Sequence, residues 1–209
     1  MKLTKKKIQR IDNFLVGQKI KYLDMRSELI DHLASEFEEK SNYSLIEDYL
    51  ITKVNFIKDF AKKRQKAIHW SYQKQLWVQF AKFFYKPKLI LCLLILIASG
   101  YTLLQFLTFK VFGNICFFTL VILTLYPLYY QIKYSKAVKK VQSLQSLFTI
   151  ASLPTLFLYA YSMLRDRLLD NHYVLIIYFS YSILLGVSAV IIIERDRKKV
   201  LEKYNQLVG

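Results

Sequence analysis

The sequence predicts an all-α membrane protein: a small cytoplasmic three-helix module, an interfacial amphipathic helix and a four-helix transmembrane bundle. Three observations carry this reading. Four stretches of roughly 20 residues beyond Lys88 are apolar and free of Asp, Glu, Lys, Arg and His, the length a bilayer-spanning helix needs. Residues 1–68 place apolar side chains at helical rather than alternating spacing. The Lys and Arg residues concentrate in alternate segments between the apolar stretches, as they do when those segments stay in the cytoplasm.

The 209 residues are 54% apolar, above the roughly 45–50% of soluble domains, yet 22% are charged. The charge is segregated. Through Lys88 there are 19 Lys/Arg against 10 Asp/Glu, and beyond it 12 against 5, together the net +16. A strongly basic chain favours nucleic acid or an anionic membrane face, and the long apolar runs decide for the membrane. The many Lys, Ile and Tyr, with only five Gly and three Pro, read as a bacterial composition. The charged start, Met1 to Arg10, has no apolar run behind it, so no secretory signal is expected there.

Residues 1–68 form the predicted cytoplasmic module. In its first helix, Thr4 to Val16, Ile8, Ile11, Phe14 and Leu15 make the stripe, Thr4 caps the start and Gly17 ends it. The second, about Tyr22 to Glu39, has the stripe Tyr22, Met25, Leu29, Ile30, Leu33 and Phe37 opposite a strongly acidic face. The third begins near Ser44, where Ser44 and Glu47 have capping-box spacing, and continues through Ile46, Leu50, Val54, Ile57 and Ala61. A unit this small is marginal alone and is expected to lean on the membrane part or on a partner.

Residues 69–88 are basic and aromatic. Trp70, Trp77, Phe80 and Phe84 alternate with Lys82 and Lys86, a composition suited to the membrane interface; a partner-binding helix is the alternative.

The four spans fall within residues 89–193, at about 89–109, 111–131, 147–164 and 173–193. Helices are required because lipid cannot satisfy a lone strand. The first two are expected to turn tightly near Lys110–Asn114, with Gly113-Asn114 as turn residues. Pro127 and Pro154 are candidate kinks, and Ser182 with Gly186 is a small-xxx-small pair for helix packing. Residues 194–209 are a basic tail carrying Arg195, Arg197, Lys198, Lys199 and Lys203. Lysines also crowd the stretch before the first span and the linker at 133–140. Both termini and that linker are therefore placed in the cytoplasm, with the protein in a bacterial inner membrane.

Chemistry-bearing patterns are scarce. The absence of ionisable residues within the four limits argues against a transporter or pump acting alone. Cys92 and Cys116 fall at opposite depths, which argues against a disulfide. Glu28, His32 and Glu36 lie at i, i+4 and i+8, on one helix face beside Asp31. One His with two carboxylates is a thin metal set, and no second His follows on the helix. An exposed acidic face is the simpler reading, and no cofactor is expected. The basic runs at Lys5–Arg10 and Lys62–Lys66 lack a recognition-helix pattern, and no direct nucleic-acid binding is expected.

The stretch Tyr22-Leu23-Asp24-Met25-Arg26-Ser27-Glu28-Leu29-Ile30-Asp31-His32-Leu33-Ala34-Ser35-Glu36 resembles the N-terminal helical module of the bacterial HAAS family of membrane-anchored helical sensors. It is also similar to the permease-prefix modules. Glu28, Asp31 and His32 stand as in their acidic helix, E-x-x-D-H-x-x-E, with Glu36 one residue later. The resemblance covers about 65 residues and not the spans. It implies a regulatory or adaptor role, often beside PadR-like transcription factors, without enzyme activity. It casts the acidic helix as a docking surface.

The expected function is thus a non-enzymatic inner-membrane sensor or adaptor that docks a protein partner through Asp24, Glu28, Asp31, His32 and Glu36. The partner would be a cytoplasmic regulator or a larger membrane complex. Membrane lipids are further partners. The alternative is an accessory subunit of a transport or secretion complex, contacting it through faces such as Ser182/Gly186. A membrane enzyme or small transporter ranks last.

Overall fold

A computed structural model describes residues 4–40, 43 and 45–208. Ten α-helices and no strand are found among them. They run α1 (Lys5–Gly17), α2 (Leu23–Lys40), α3 (Ile46–Thr52), α4 (Val54–Tyr85), α5 (Pro87–Phe106), α6 (Phe109–Lys133), α7 (Ser135–Lys140), α8 (Gln142–Thr149), α9 (Ser152–Leu169) and α10 (His172–Val208). They make two compact units. One contains residues 1–70, 135–146 and 199–209, the other residues 71–134 and 147–198.

The first unit is built on the amphipathic stripes of its helices. Ile11 and Leu15 of α1, Met25, Leu29 and Leu33 of α2, Ile46, Tyr49 and Leu50 of α3 and Ile57 of α4 share one buried core. Thr4 stands at the N-cap of α1 without a side-chain cap bond. Gly17 is the last residue of α1, but the left-handed turn after it is made by Lys19, at φ 64°. The Lys19 amide donates to Val16 and the Ile20 amide to Leu15, and Ile20 and Leu15 are both in the core. This is the bond pair and apolar contact of a Schellman ending. Ser44 lies outside the described residues. Leu45 precedes α3 as its N-cap, with no side-chain cap bond.

The third helix of the sequence reading is broken at Lys53, between α3 and α4. After that break α4 runs for 32 residues. At 1.5 Å per residue this is about 48 Å, so the end of the module and the interfacial stretch share one helix. Residues 135–146, the linker between the second and third apolar stretches, belong to the same compact unit as the module helices. Ala137, Val138, Val141 and Leu144 are buried.

Among the described residues four segments, lying mostly in the second unit, are long and apolar enough to cross a membrane: Pro87–Phe106, Phe109–Lys133, Gln142–Arg165 and Tyr173–Leu207. Phe112, Cys116 and Leu120 of α6, Tyr161 and Leu168 of α9, and Leu175 and Phe179 of α10 form the core. Tyr161 sits at its centre, 5.0 Å from Phe179 and 5.7 Å from Phe117 between ring centroids.

Three local expectations are corrected. Gly113 and Asn114 are inside α6 and make no turn. The turn is Leu107-Thr108, both extended, with the Phe112 amide donating to Thr108. Starting α6 at Phe109 brings Phe112 into the core, against Phe179 at 6.4 Å, and that burial outweighs local turn preference. The two prolines also differ. Pro127 is accommodated inside an unbroken α6, whereas Pro154 follows a break at Ile150-Ala151 that divides the third span into α8 and α9. Continuing α8 would drive the Pro154 ring into the carbonyl of residue 150. Finally, the basic tail after Ile193 is helical: α10 runs without a break for 37 residues, from the fourth apolar stretch through the tail.

Gly186 of α10 meets α6. A Cβ built on it would lie 3.0 Å from Leu123 Cδ1. Ser182 is fully buried, and its hydroxyl donates to the Tyr178 carbonyl at 2.7 Å.

Candidate functional site

The acidic helix α2 is divided by its surroundings into pinned and free groups. Asp24 is buried, 6% exposed, and so leaves the exposed docking face expected from the sequence. Its Oδ1 accepts the Gln142 amide at 3.1 Å, and its Oδ2 accepts the Ser143 amide at 3.0 Å and the Ser143 hydroxyl at 2.8 Å. These two amides open α8 and have no partner within their own helix. The positive end of the helix dipole adds to the attraction for a carboxylate. Beside this clamp the Tyr22 hydroxyl donates to Gln145. Burial, followed by the Asp24 charge, raises the Tyr22 pKa. Asp24 is therefore a structural cap on a helix more than a hundred residues away.

Glu28 is exposed and accepts from Arg64 Nε of α4 at 2.8 Å. Glu36 is half-buried and accepts from Lys53 Nζ and, at 3.0 Å, from the Tyr49 hydroxyl. The Lys53 bond, aided by that of Tyr49, outweighs burial and lowers the Glu36 pKa. The Tyr49 pKa is raised by burial and then by Glu36. Asp31 is exposed and has no ion pair among the described residues. His32 is also exposed, its ring 5.2 Å from Phe56 and 6.3 Å from Phe60 of α4.

These residues frame a ridge. Phe56 remains 37% exposed between α2 and α4. On one side lies an open hollow of about 450 Å³, bordered by Glu28, Phe60 and Arg64. On the other lies one of about 480 Å³, bordered by His32, Glu36, Glu39 and Lys53. An aromatic ridge with charged margins has the make-up of a protein-binding hot spot. It is poor metal chemistry, because Glu28 and Glu36 are turned to different cations. No cluster of three or more His, Cys, Asp or Glu fit for a metal occurs among the described residues.

The residues expected at a membrane interface separate similarly. Trp70, Trp77 and Phe84 are 60%, 46% and 54% exposed, and Lys86 is exposed. Lys82 donates to Gln79 at 3.1 Å. Phe80 is the correction: it is 7% exposed and packs on Tyr181 of α10 at 4.7 Å. The helix period turns Leu76, Phe80 and Phe83 inward together.

One polar cluster escaped the sequence reading. Tyr126 donates to Glu194, Arg197 donates to the same carboxylate at 3.2 Å, and the Arg197 guanidinium lies 3.8 Å over the Tyr130 ring. Arg195 reaches Gln75 of α4. The signal was the Glu-Arg-Asp-Arg run at 194–197 beside a span ending in tyrosines, but the run reads by itself as a solvated tail.

Comparison of the chain with protein-family models, with curated proteins and with solved structures finds no match among any of the three.

Proposed function

We propose that the protein is a non-enzymatic, multi-pass adaptor or sensor of a bacterial inner membrane, whose helical module docks a cytoplasmic protein partner. The observation that carries this reading is the α2–α4 face. Asp31, without an ion pair among the described residues, and the tilted His32–Phe56 ring pair stand exposed, while Glu28 and Glu36 beside them are held by Arg64 and Lys53. A face whose margins are already fixed loses little side-chain freedom on binding. The docking set is accordingly Glu28, Asp31, His32 and Glu36 with Phe56 added, and Asp24 left to its structural duty. The resemblance of residues 22–36 to helical sensor modules points the same way. The Lys/Arg bias of the sequence places this face in the cytoplasm.

A second reading, an accessory subunit of a larger membrane complex, is favoured by α5. Only 6% of its most apolar window is buried, against 33–56% for the other three spans, so most of its apolar surface is left for lipid or another subunit.

The test is affinity purification of the tagged protein from native membranes in mild detergent, with mass spectrometry. A soluble regulator recovered in stoichiometric amount, and lost with Asp31→Lys and with Phe56→Ala, supports docking through this face. Recovery of large membrane subunits regardless of those changes supports the accessory reading. Substrate turnover or flux by the purified protein alone would overturn both.

A further inference from the structure

The break before Pro154 opens a trough in the membrane-spanning unit. Ala151 in the break and Ser152 at the start of α9, both small, stand opposite Thr124 and Pro127 of α6, and the space between measures about 440 Å³. This is within the roughly 300–1,000 Å³ range of small-molecule sites. Its polar groups are largely spent on the chain itself. The Thr124 hydroxyl donates to the Val121 carbonyl and that of Thr155 to the Ala151 carbonyl, each at 2.8 Å. What remains for an occupant is mainly hydrocarbon, including Leu128 and Leu156, which are 48% and 61% exposed.

The dimensions and charge select the occupant. A helix about 10 Å across does not enter such a trough, whereas an unbranched chain does. Gln131 lines one end. Two residues further on, Lys133 is exposed, its ammonium 5.8 Å from the Tyr129 ring and 5.7 Å from the Tyr134 ring. No carboxylate occurs from Gln131 to Leu164, so nothing on either lining segment repels an anion. We infer that the trough holds an acyl chain of an anionic phospholipid of the cytoplasmic leaflet, with its headgroup at Lys133. This inference rests on the membrane orientation adopted above and is independent of the docking face. Anionic lipids enrich that leaflet, and a lysine near the surface contributes about 1 kcal/mol toward them.

The full chain in nanodiscs, labelled by phosphatidylglycerol with a photoactivatable group midway along one acyl chain, tests this. Cross-links are expected to concentrate on residues 124–131 and 148–159, several-fold above the exposed helix α5. Ala151→Trp should fill the trough and remove that excess while labelling of α5 stays unchanged. Lys133→Gln should lower the preference for phosphatidylglycerol over phosphatidylcholine by about fivefold, the equivalent of about 1 kcal/mol. Label spread evenly over all spans of the wild-type protein would overturn the site, and this arm needs no variant to fold. Equal labelling by the phosphatidylcholine probe would overturn the anionic headgroup.

Discussion

Replacing Asp24 by Ala should release the 135–146 linker from the helical module. The carboxylate accepts three hydrogen bonds from Gln142 and Ser143. Loss of a capping side chain costs about 0.5–2 kcal/mol, and a buried amide left without a partner costs about 1–3 kcal/mol. Gln142 is buried, so its amide bears the second cost; Ser143 is partly exposed and regains water. Together they give about 1.5–5 kcal/mol. The lower figure corresponds to about a 12-fold rise in the opened population. Lys136, Lys139 and Lys140 of α7 provide exposed trypsin sites. When opening is fast, cleavage there tracks the opened fraction. In the full-length protein, Asp24→Ala should accelerate linker cleavage by at least that factor. Ser143→Ala loses one hydroxyl bond, worth about 0.5–1.5 kcal/mol, and should accelerate it far less. Wild-type cleavage rates in Asp24→Ala, or an equal rise at Lys62–Arg64 of α4, would refute the reasoning.

Other outcomes follow from single contacts. Lys19 takes a left-handed φ of 64°, a conformation costing an L-residue about 1–2 kcal/mol, so Lys19→Gly should raise stability by about 1 kcal/mol in denaturant titration. Glu36 has a lowered pKa in the folded protein. Its contribution is therefore full above the ordinary value of 4.5 and fades as pH falls from there through the lowered value; stability measured against pH should lose this component in Glu36→Gln. At Gly186 an added Cβ reaches the flexible end of Leu123 at 3.0 Å. Gly186→Ala should be nearly tolerated, whereas Gly186→Val should cost about 1–3 kcal/mol, read by unfolding in mixed micelles.

The helical stripes and the four apolar segments were legible because they depend on short-range periodicity. Ile11, Leu15, Leu29, Leu33, Leu50 and Ile57, all read as inward-facing, are core residues. What escaped depends on partners far along the chain. Asp24 sits on a charged helix face like its neighbours, and only the N-terminus of α8, 118 residues away, makes it a buried cap. Phe80 reads as an interfacial aromatic until Tyr181 is beside it. Gly113-Asn114 has turn chemistry, but burial of Phe112 requires helix there. The trough is lined by residues of α6 and of the segment around the α8–α9 break, and no local pattern in either shows that the two face each other. At the proposed docking face the residues Glu28, Asp31, His32 and Glu36 could be grouped from spacing. Their division into paired and unpaired groups could not, because Arg64 and Lys53 are supplied by other parts of the fold.

The proposed function requires a membrane topology in which the module, the linker and the tail share the cytoplasmic side. The direct measurement is labelling of single cysteines by an impermeant maleimide in intact cells, at Glu39, Lys139, Asn171 and Glu202 in a background lacking Cys92 and Cys116. Of the four, Asn171 alone should label from outside, and the other three should label only after the membrane is opened. Labelling of Glu39 and Lys139 from opposite sides would contradict that topology at once, since Asp24 of the module and Ser143 of the linker are joined by hydrogen bonds.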